Sequence, residues 1–118
     1  MLYDSICTER YMGLPTENGN VKKYQSSSVL AHASKLKTKK FMLVHGTGDD
    51  NVHFQQSMML SKLLTAEDII FDQLTYPDEA HHLGHVTAHL YHSMDIFWAK
   101  CFGYDIESNS LSGSSNTV

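Results

Sequence analysis

The chain has 118 residues, of which 42% are hydrophobic and 19% are charged, and its formal net charge at neutral pH is −4. This length suits one domain or part of one, and the composition is that of a globular protein rather than of a disordered segment. The nine Lys and Arg residues include a short run at 35–40 but form no broad basic face, so we expect no nucleic-acid partner.

No stretch of the chain approaches the roughly 20 apolar residues that a membrane-spanning helix requires. The first residues also lack the basic start and apolar run of a signal peptide, so the chain is predicted to carry neither a signal nor a transmembrane segment. The two cysteines, Cys7 and Cys101, could form one bridge or remain two thiols, and their number alone does not decide the redox compartment.

The N-terminal part of the chain is predicted to be mixed in structure up to residue 25. Turns are expected at 13–15 and 17–20, where Gly, Pro and Asn are concentrated. A short helix is predicted to begin near Ser27, where serines can cap its free N–H groups, and to end before Lys37. The apolar run at 40–45, closed by a glycine, has the length and composition of a parallel strand that is covered on both faces.

Beyond this strand the hydrophobic period changes. Apolar residues recur at helical spacing from Val52 onward and predict a crossover helix, and the run at 69–76 predicts a second strand that Pro77 ends. Apolar residues that step by three or four make His85–Phe102 the longest predicted helix. The segment 104–118 is polar and low in complexity, and it is predicted to be disordered.

The order of strand, helix, strand and helix predicts the α/β fold class, with a parallel pair of strands joined by a right-handed crossover. A parallel sheet normally has several strands, and a pair alone leaves two unpaired edges. We therefore interpret the chain as the C-terminal part of a larger α/β-hydrolase-like sheet, and we expect it to have poor stability by itself.

The loops that follow the two predicted strands carry the candidate chemistry. Asp49 follows the first strand and His81 the second, which is the chain order of the acid and the histidine in the Ser-Asp-His triad of α/β-hydrolases. Both loops are expected at the same rim, because they leave the carboxyl ends of parallel strands. No Gly-x-Ser-x-Gly motif occurs in the 118 residues, so we predict that the nucleophile lies outside them.

Each of these features has a simpler interpretation. The run Asp49-Asp50-Asn51 could be a turn that caps the following helix, and His81 could be a surface residue. Capping and orienting can coexist if one acid caps while its neighbour orients the histidine. The five histidines between 81 and 92 include i, i+4 pairs of the kind that bind zinc. They offer no obvious third ligand, so we predict no metal site and no cofactor.

Three segments of the chain, at 3–15, 45–57 and 76–81, resemble the dipeptidyl peptidase IV branch of the prolyl oligopeptidase family of serine peptidases. The similarity spans about residues 2–103, and the form of the histidine loop at 84–86 is similar to that of insect members. The resemblance implies a serine exopeptidase that removes N-terminal dipeptides ending in proline or alanine. It also implies that 1–103 is the C-terminal portion of the peptidase α/β-hydrolase domain.

The resemblance assigns roles to single residues. Asp49 matches the acid of the triad, and His81 matches its histidine. Asn51 matches the residue that donates a hydrogen bond to the substrate carbonyl before the proline. Tyr3 and Val52 match walls of the pocket that holds the proline ring, where an aromatic face and an aliphatic surface suit a compact apolar ring.

The chain also departs from the family's pattern. Cys7 stands where relatives have another tyrosine of the proline pocket, and His82 stands where they have a smaller residue. The cysteine that pairs with the equivalent of Cys101 is absent, so both cysteines are predicted to be free thiols. The nucleophile, the oxyanion-hole tyrosine and the glutamates that bind the substrate's amine all lie upstream in relatives, so the chain needs the missing N-terminal part of the catalytic domain.

We therefore expect the chain to be inactive alone and to act on peptides with Pro or Ala at the second position only as part of a complete site. The alternative hypothesis is a non-catalytic interaction module that docks by its unpaired sheet edge or by its last helix. The resemblance implies a homodimer through this C-terminal helix, with Trp98 and Phe102 as candidate anchors. By resemblance the protein is expected to be secreted or to lie on the extracellular side of the plasma membrane.

Overall fold

The computed structural model of the chain describes residues 4–103. Tyr3 and the predicted disordered tail at 104–118 lie outside the described residues. The chain divides into two compact units, Met1–Gly84 and His85–Val118. The elements in chain order are α1 (Asp4–Met12), α2 (Val21–Ser27), a 3-10 helix (Val29–Thr38), β1 (Met42–Gly46), α3 (Gln55–Ala66), β2 (Asp72–Tyr76), a second 3-10 helix (Gly84–Val86) and α4 (Thr87–Phe102).

The N-terminal part holds two helices, α1 and α2, that the sequence did not predict. Of the two predicted turns, the one at 17–20 is present, whereas residues 13–15 have no regular structure. The connection between the two helices is stabilised by side chains. The Tyr24 hydroxyl donates to the Gly13 carbonyl oxygen at 2.6 Å, and Asn20 Nδ2 donates to the Met12 carbonyl oxygen at 2.9 Å. Gly13 follows α1 with φ of 70°, a left-handed conformation that suits glycine at a helix C-terminus.

The helix predicted to begin near Ser27 is present as the 3-10 helix Val29–Thr38. Its cap is Ser28, whose side chain accepts a hydrogen bond from the backbone N–H of Leu30 at 3.3 Å. The core of the first unit lies between this helix, α3 and the start of β2. Its fully buried members are Ala33, Leu64 and Ile69, and the partly buried hydrophobic residues packed against them are Leu36, Phe41, Leu60, Leu63 and Phe71.

The two strands pair in parallel, as predicted, with Val44 opposite Leu74 and Gly46 opposite Tyr76. Both begin later than the apolar runs suggested, because Phe41 and Phe71 precede the paired residues and contribute to the core instead. The strands are also less buried than predicted: most β1 residues are half-buried, and β2 exposes three of its five residues. This is the exposure expected for part of a larger sheet.

The second unit contains α4, which matches the predicted helix closely. It ends at Gly103, whose φ is 72° and whose N–H donates to the Ala99 carbonyl oxygen at 2.8 Å. Within residues 4–103, no helix is both long enough and apolar enough to cross a membrane.

Candidate active site

The loops that leave β1 and β2 are joined by backbone hydrogen bonds. The Thr47 N–H donates to the Tyr76 carbonyl oxygen at 2.9 Å, and the Gly48 N–H donates to the Glu79 carbonyl oxygen at 3.0 Å. In the opposite direction, the Asp78 N–H donates to the Thr47 hydroxyl oxygen at 2.8 Å. These bonds hold the loop that carries Asp49 against the loop that carries the candidate histidine.

Two glycines make this close approach feasible. A Cβ placed on Gly46 would lie 2.2 Å from the Glu79 carbonyl oxygen, and one placed on Gly48 would lie 3.0 Å from the Asp78 carbonyl oxygen. Both neighbours are backbone atoms, which cannot move aside as a flexible side chain could. The glycines at these positions therefore serve close backbone packing.

The second loop contains two residues in the left-handed region, on either side of the candidate histidine. Asp78 has φ of 59° and Leu83 has φ of 50°. Aspartate tolerates this conformation, whereas for leucine it carries a conformational cost that the surrounding fold has to offset. The Leu83 N–H donates to the Ala80 carbonyl oxygen at 3.0 Å, which closes the loop around His81.

The carboxylate of Asp49 is the centre of the site and is 7% exposed. Its Oδ1 accepts hydrogen bonds from the backbone N–H groups of Asn51 at 3.0 Å and Val52 at 2.8 Å. Its Oδ2 lies 2.9 Å from Nδ1 of His81 and 3.1 Å from Nε2 of His45. One carboxylate oxygen of Asp49 therefore holds the turn that precedes α3, and the other contacts the imidazole of His81. Asp49 does not cap α3 itself, whose N-cap residue is Phe54.

These contacts determine the protonation of Asp49. Burial by itself raises the pKa of this carboxyl, but hydrogen bonds from His81 and from the backbone N–H groups of Val52 and Asn51, together with the charge of His81, lower the pKa below its ordinary value. The group is therefore ionised throughout the neutral pH range.

His81 presents its two nitrogens to different surroundings. Its Nδ1 faces an ionised carboxylate, so the neutral ring carries its proton on Nδ1 and has the lone pair on Nε2. The side chain is 41% exposed, which leaves the ring accessible to a reacting group. The neighbouring His82 lies edge-on to it, with ring centroids 5.8 Å apart.

His45 also contacts the Asp49 carboxylate, although the sequence did not single it out as a candidate site residue. Its Nε2 lies 2.9 Å from the Val52 carbonyl oxygen, in addition to its contact with Asp49, and its Nδ1 is hydrogen-bonded to the Ser57 hydroxyl. The signal in the sequence was a histidine at the end of an otherwise apolar strand, because a polar side chain at a buried strand end needs partners.

The structure places two of the three predicted substrate-binding residues next to the acid. Asn51 and Val52 are half-buried in the turn that Asp49 holds. The Oδ1 atom of Asn51 is buried and has no hydrogen-bond partner among residues 4–103. The third predicted residue, Tyr3, lies outside the described residues.

The remaining histidines and the cysteines form no further cluster in the described part of the chain. Within residues 4–103, no group of three or more His, Cys, Asp or Glu side chains is arranged to hold a metal ion. Within the described residues, Cys7 and Cys101 form no disulfide with each other; Cys7 is exposed and Cys101 is half-buried.

The sequence of the chain is similar to those of known peptidases. The chain matches the model of the prolyl oligopeptidase family over residues 1–105. It is 56% identical over 102 residues to venom dipeptidyl peptidase 4 of Apis mellifera, a match that covers 86% of this chain and 13% of the relative. It is 46% identical over 102 residues to dipeptidyl peptidase 4 of Bos taurus, again with 13% of the relative covered.

The fold of the chain is also similar to part of a solved peptidase structure. The fold is similar to that of dipeptidyl peptidase 4 of Porphyromonas gingivalis, with a TM-score of 0.73 and 37% sequence identity. The match covers 82% of this chain and 14% of that chain. The chain therefore spans only a small part of the length of the relatives that it matches.

Proposed function

Because the chain belongs to the prolyl oligopeptidase family, we propose that its residues 1–103 contribute the acid and the histidine of a serine-type dipeptidyl peptidase site. Their fold is the C-terminal part of an α/β-hydrolase fold with an incomplete sheet. The observation that carries the proposal is the 2.9 Å contact between His81 Nδ1 and Asp49 Oδ2. The serine is supplied from outside the 118 residues, which contain no Gly-x-Ser-x-Gly motif.

The geometry suits the proton transfers of serine peptidases. The lone pair on Nε2 of His81 takes the proton from the serine hydroxyl as its oxygen attacks the scissile carbonyl carbon. The same nitrogen then gives that proton to the leaving amine, and a water molecule repeats the cycle on the acyl-enzyme. Asp49 stays ionised throughout and stabilises the imidazolium, as its lowered pKa favours.

The substrate is a peptide with proline or alanine at its second position. Val52 supplies an aliphatic wall for the proline ring, and Tyr3 supplies an aromatic one. Asn51 uses its side-chain amide to donate a hydrogen bond to the preceding carbonyl. The support for these roles is the placement of Asn51 and Val52 directly beside Asp49, together with the dipeptidyl peptidase names of the relatives.

The protein acts outside the cell, as a secreted or surface-exposed peptidase. This part of the proposal is supported by the names of insect relatives, which describe venom proteins.

A chimera tests the proposed function directly. Residues 1–103 replace the matching segment of the Apis mellifera venom dipeptidyl peptidase 4, so that the serine and the rest of the domain come from the relative. The chimera is expected to cleave a chromogenic Gly-Pro substrate faster than a Gly-Leu substrate. Asp49→Asn should lower its kcat about 10,000-fold, and His81→Gln on the order of a million-fold.

Matched controls separate these roles from general damage to the chimera. Asp50→Asn changes the exposed acid next to Asp49, and His92→Gln changes an exposed histidine of α4, so both should retain full activity. A folded chimera without Gly-Pro hydrolysis, or one that keeps its activity after His81→Gln, would contradict the proposal. The isolated chain should show no turnover, and turnover that a serine-directed reagent blocks would contradict the external origin of the nucleophile.

A second candidate function is homodimerisation through α4, favoured by an aromatic surface on that helix. The rings of Trp98 and Phe102 stack with centroids 5.8 Å apart, and the residues are 44% and 71% exposed. Sedimentation of the chain at several concentrations should show a dimer that Trp98→Ala weakens. Ile96→Ala is the matched control, because residues two positions apart lie on opposite sides of a helix. A chain that stays monomeric at all concentrations would exclude this function.

A further inference from the structure

The imidazole of His45 is almost enclosed by the loop that follows β1. Its side chain is 10% exposed, and the ring of Phe54 lies edge-on at a centroid distance of 5.6 Å. A buried imidazole is costly unless its nitrogens form hydrogen bonds. Both nitrogens of His45 do so, and each contacts a different part of the candidate site.

The surroundings of His45 Nε2 determine its protonation. The two groups nearest to it are the Val52 carbonyl oxygen at 2.9 Å and the Asp49 Oδ2 at 3.1 Å. A carbonyl oxygen and an ionised carboxylate can only accept hydrogen bonds, so Nε2 carries the proton. Its hydrogen bond goes to the Val52 carbonyl oxygen, and the Asp49 carboxylate lies beside it as a close electrostatic contact. In the neutral ring Nδ1 then has the lone pair and accepts a hydrogen bond from the Ser57 hydroxyl.

This arrangement surrounds the Asp49 carboxylate with N–H groups. The backbone N–H groups of Asn51 and Val52 donate to Oδ1, and Nδ1 of His81 bonds to Oδ2. Nε2 of His45 lies 3.1 Å from the same Oδ2, so its N–H dipole is close to the carboxylate. Without His45, the carboxylate would lose this contact and the Val52 carbonyl oxygen would lose its hydrogen bond.

We propose that His45 is a positioning residue for the candidate site. Its Nε2–H donates to the carbonyl oxygen of Val52, whose own N–H donates to Asp49 Oδ1, and Nε2 lies 3.1 Å from Asp49 Oδ2. Together these contacts hold the carboxylate in the orientation that binds His81. Ser57 supports the required tautomer from the other side of the ring. The catalytic consequence of this role rests on the proposed function, whereas the hydrogen-bonding role itself does not.

Three substitutions distinguish the roles of the two ring nitrogens of His45. The amide nitrogen of Gln in His45→Gln reaches the place of Nε2 and can still donate to the Val52 carbonyl oxygen beside Asp49. The shorter side chain in His45→Asn places its amide near Nδ1, where it can contact Ser57 but not Asp49. His45→Phe keeps the ring shape beside Phe54 and removes both hydrogen bonds.

The first readout is the tautomer of His81 in the 118-residue chain, measured from imidazole nitrogen chemical shifts at a pH where the rings are neutral. In the unmodified chain His81 should be protonated on Nδ1 and His45 on Nε2. His45→Asn and His45→Phe should lower the Nδ1–H to Nε2–H ratio of His81 about tenfold, the effect of losing one hydrogen bond. His45→Gln should restore the ratio to within about threefold.

Two results would overturn the proposal. One is an unchanged His81 tautomer in a folded His45→Asn chain, where folding is judged from backbone amide shifts. The other is a His45 ring that carries its proton on Nδ1 in the unmodified chain. The second result needs no variant, so it decides the proposal even where the substituted chains do not fold.

The second readout uses the chimera described above and separates this proposal from the proposed function. His45→Asn should lower kcat and also raise KM, because the Nε2–H of His45 bonds the Val52 carbonyl oxygen and lies beside the Asp49 carboxylate. His45→Gln should recover both constants. An active chimera that His45→Asn leaves unchanged would contradict the positioning role. An inactive chimera in which the His81 tautomer still responds to His45 would contradict the peptidase proposal alone.

Discussion

The Nδ1 atom of His81 lies 2.9 Å from Oδ2 of Asp49, although the two residues are 32 positions apart in the sequence. Their contact depends on the parallel pairing of β1 and β2, which brings the carboxyl ends of both strands to one rim. It also depends on the backbone hydrogen bonds that join the two loops. The strand pairing and the loop hydrogen bonds thus bring Asp49 and His81 together.

Replacement of Asp49 by asparagine should destabilise the chain. The amide group of Asn carries a donor on one side, so it cannot accept hydrogen bonds both from the two backbone N–H groups and from the His81 imidazole. We expect the free energy of unfolding to fall by about 1–3 kcal/mol, the usual result of breaking a buried hydrogen-bond network. Urea denaturation followed by circular dichroism measures the change. Asp50→Asn, at the exposed neighbour, should change the free energy by less than about 0.5 kcal/mol.

The stabilising effect of Asp49 should depend on pH. Its pKa in the folded chain lies below the value of about 3.9 expected in the unfolded chain. The unfolded state therefore binds more protons in this range, so the stabilisation is fully present above the unfolded pKa and is lost as the pH falls through the folded pKa. The difference in unfolding free energy between the unmodified chain and Asp49→Asn should shrink from pH 6 to pH 2. A difference that grows on acidification would contradict the lowered pKa.

Gly46→Ala should separate the two loops. The added Cβ would lie 2.2 Å from the Glu79 carbonyl oxygen, so the backbone has to shift. We expect a loss of about 3 kcal/mol or more in the free energy of unfolding, at the upper end of overpacking effects. The hydrogen bond between His81 and Asp49 should weaken as well, which the His81 nitrogen shifts would report.

Gly84→Ala is the matched control for that change. A Cβ at Gly84 would have no heavy atom within 4 Å, so this substitution should alter the free energy of unfolding by less than about 0.5 kcal/mol. If the two substitutions had equal effects, the claim that Gly46 is required for close backbone packing would be wrong.

The core around α3 should be sensitive to the loss of volume. Leu64 is 0% exposed and packs with Ala33 and Ile69, so Leu64→Ala should lower the free energy of unfolding by about 2–5 kcal/mol. Ile70→Ala removes a similar volume from a side chain that is 86% exposed, and its effect should stay below about 1 kcal/mol. Thermal melts of both variants test the difference, and similar losses would contradict the assignment of the core.

The elements that sequence reasoning predicted are those with a strong local signal. The apolar runs gave the two strands, and helical spacing gave α3 and α4. The N-terminal helices were missed for a physical reason. The α2 helix has no buried residues, and α1 has no continuous apolar stripe, so neither shows the period of a core-facing helix. The hydrogen bond from Tyr24 to Gly13 joins residues 11 positions apart, which no local pattern reveals.

For the candidate site too, the sequence determined some features and the tertiary structure determined the others. The identities of Asp49 and His81, and their position after two successive strands, follow from the sequence, because hydrophobic period and loop residues are local properties. Which oxygen meets which nitrogen was decided by the tertiary structure. The contacts of His45 with Asp49, Val52 and Ser57 arise only when the loop folds back over the end of β1. The close packing of two backbones at Gly46 is likewise a distance that no sequence pattern records.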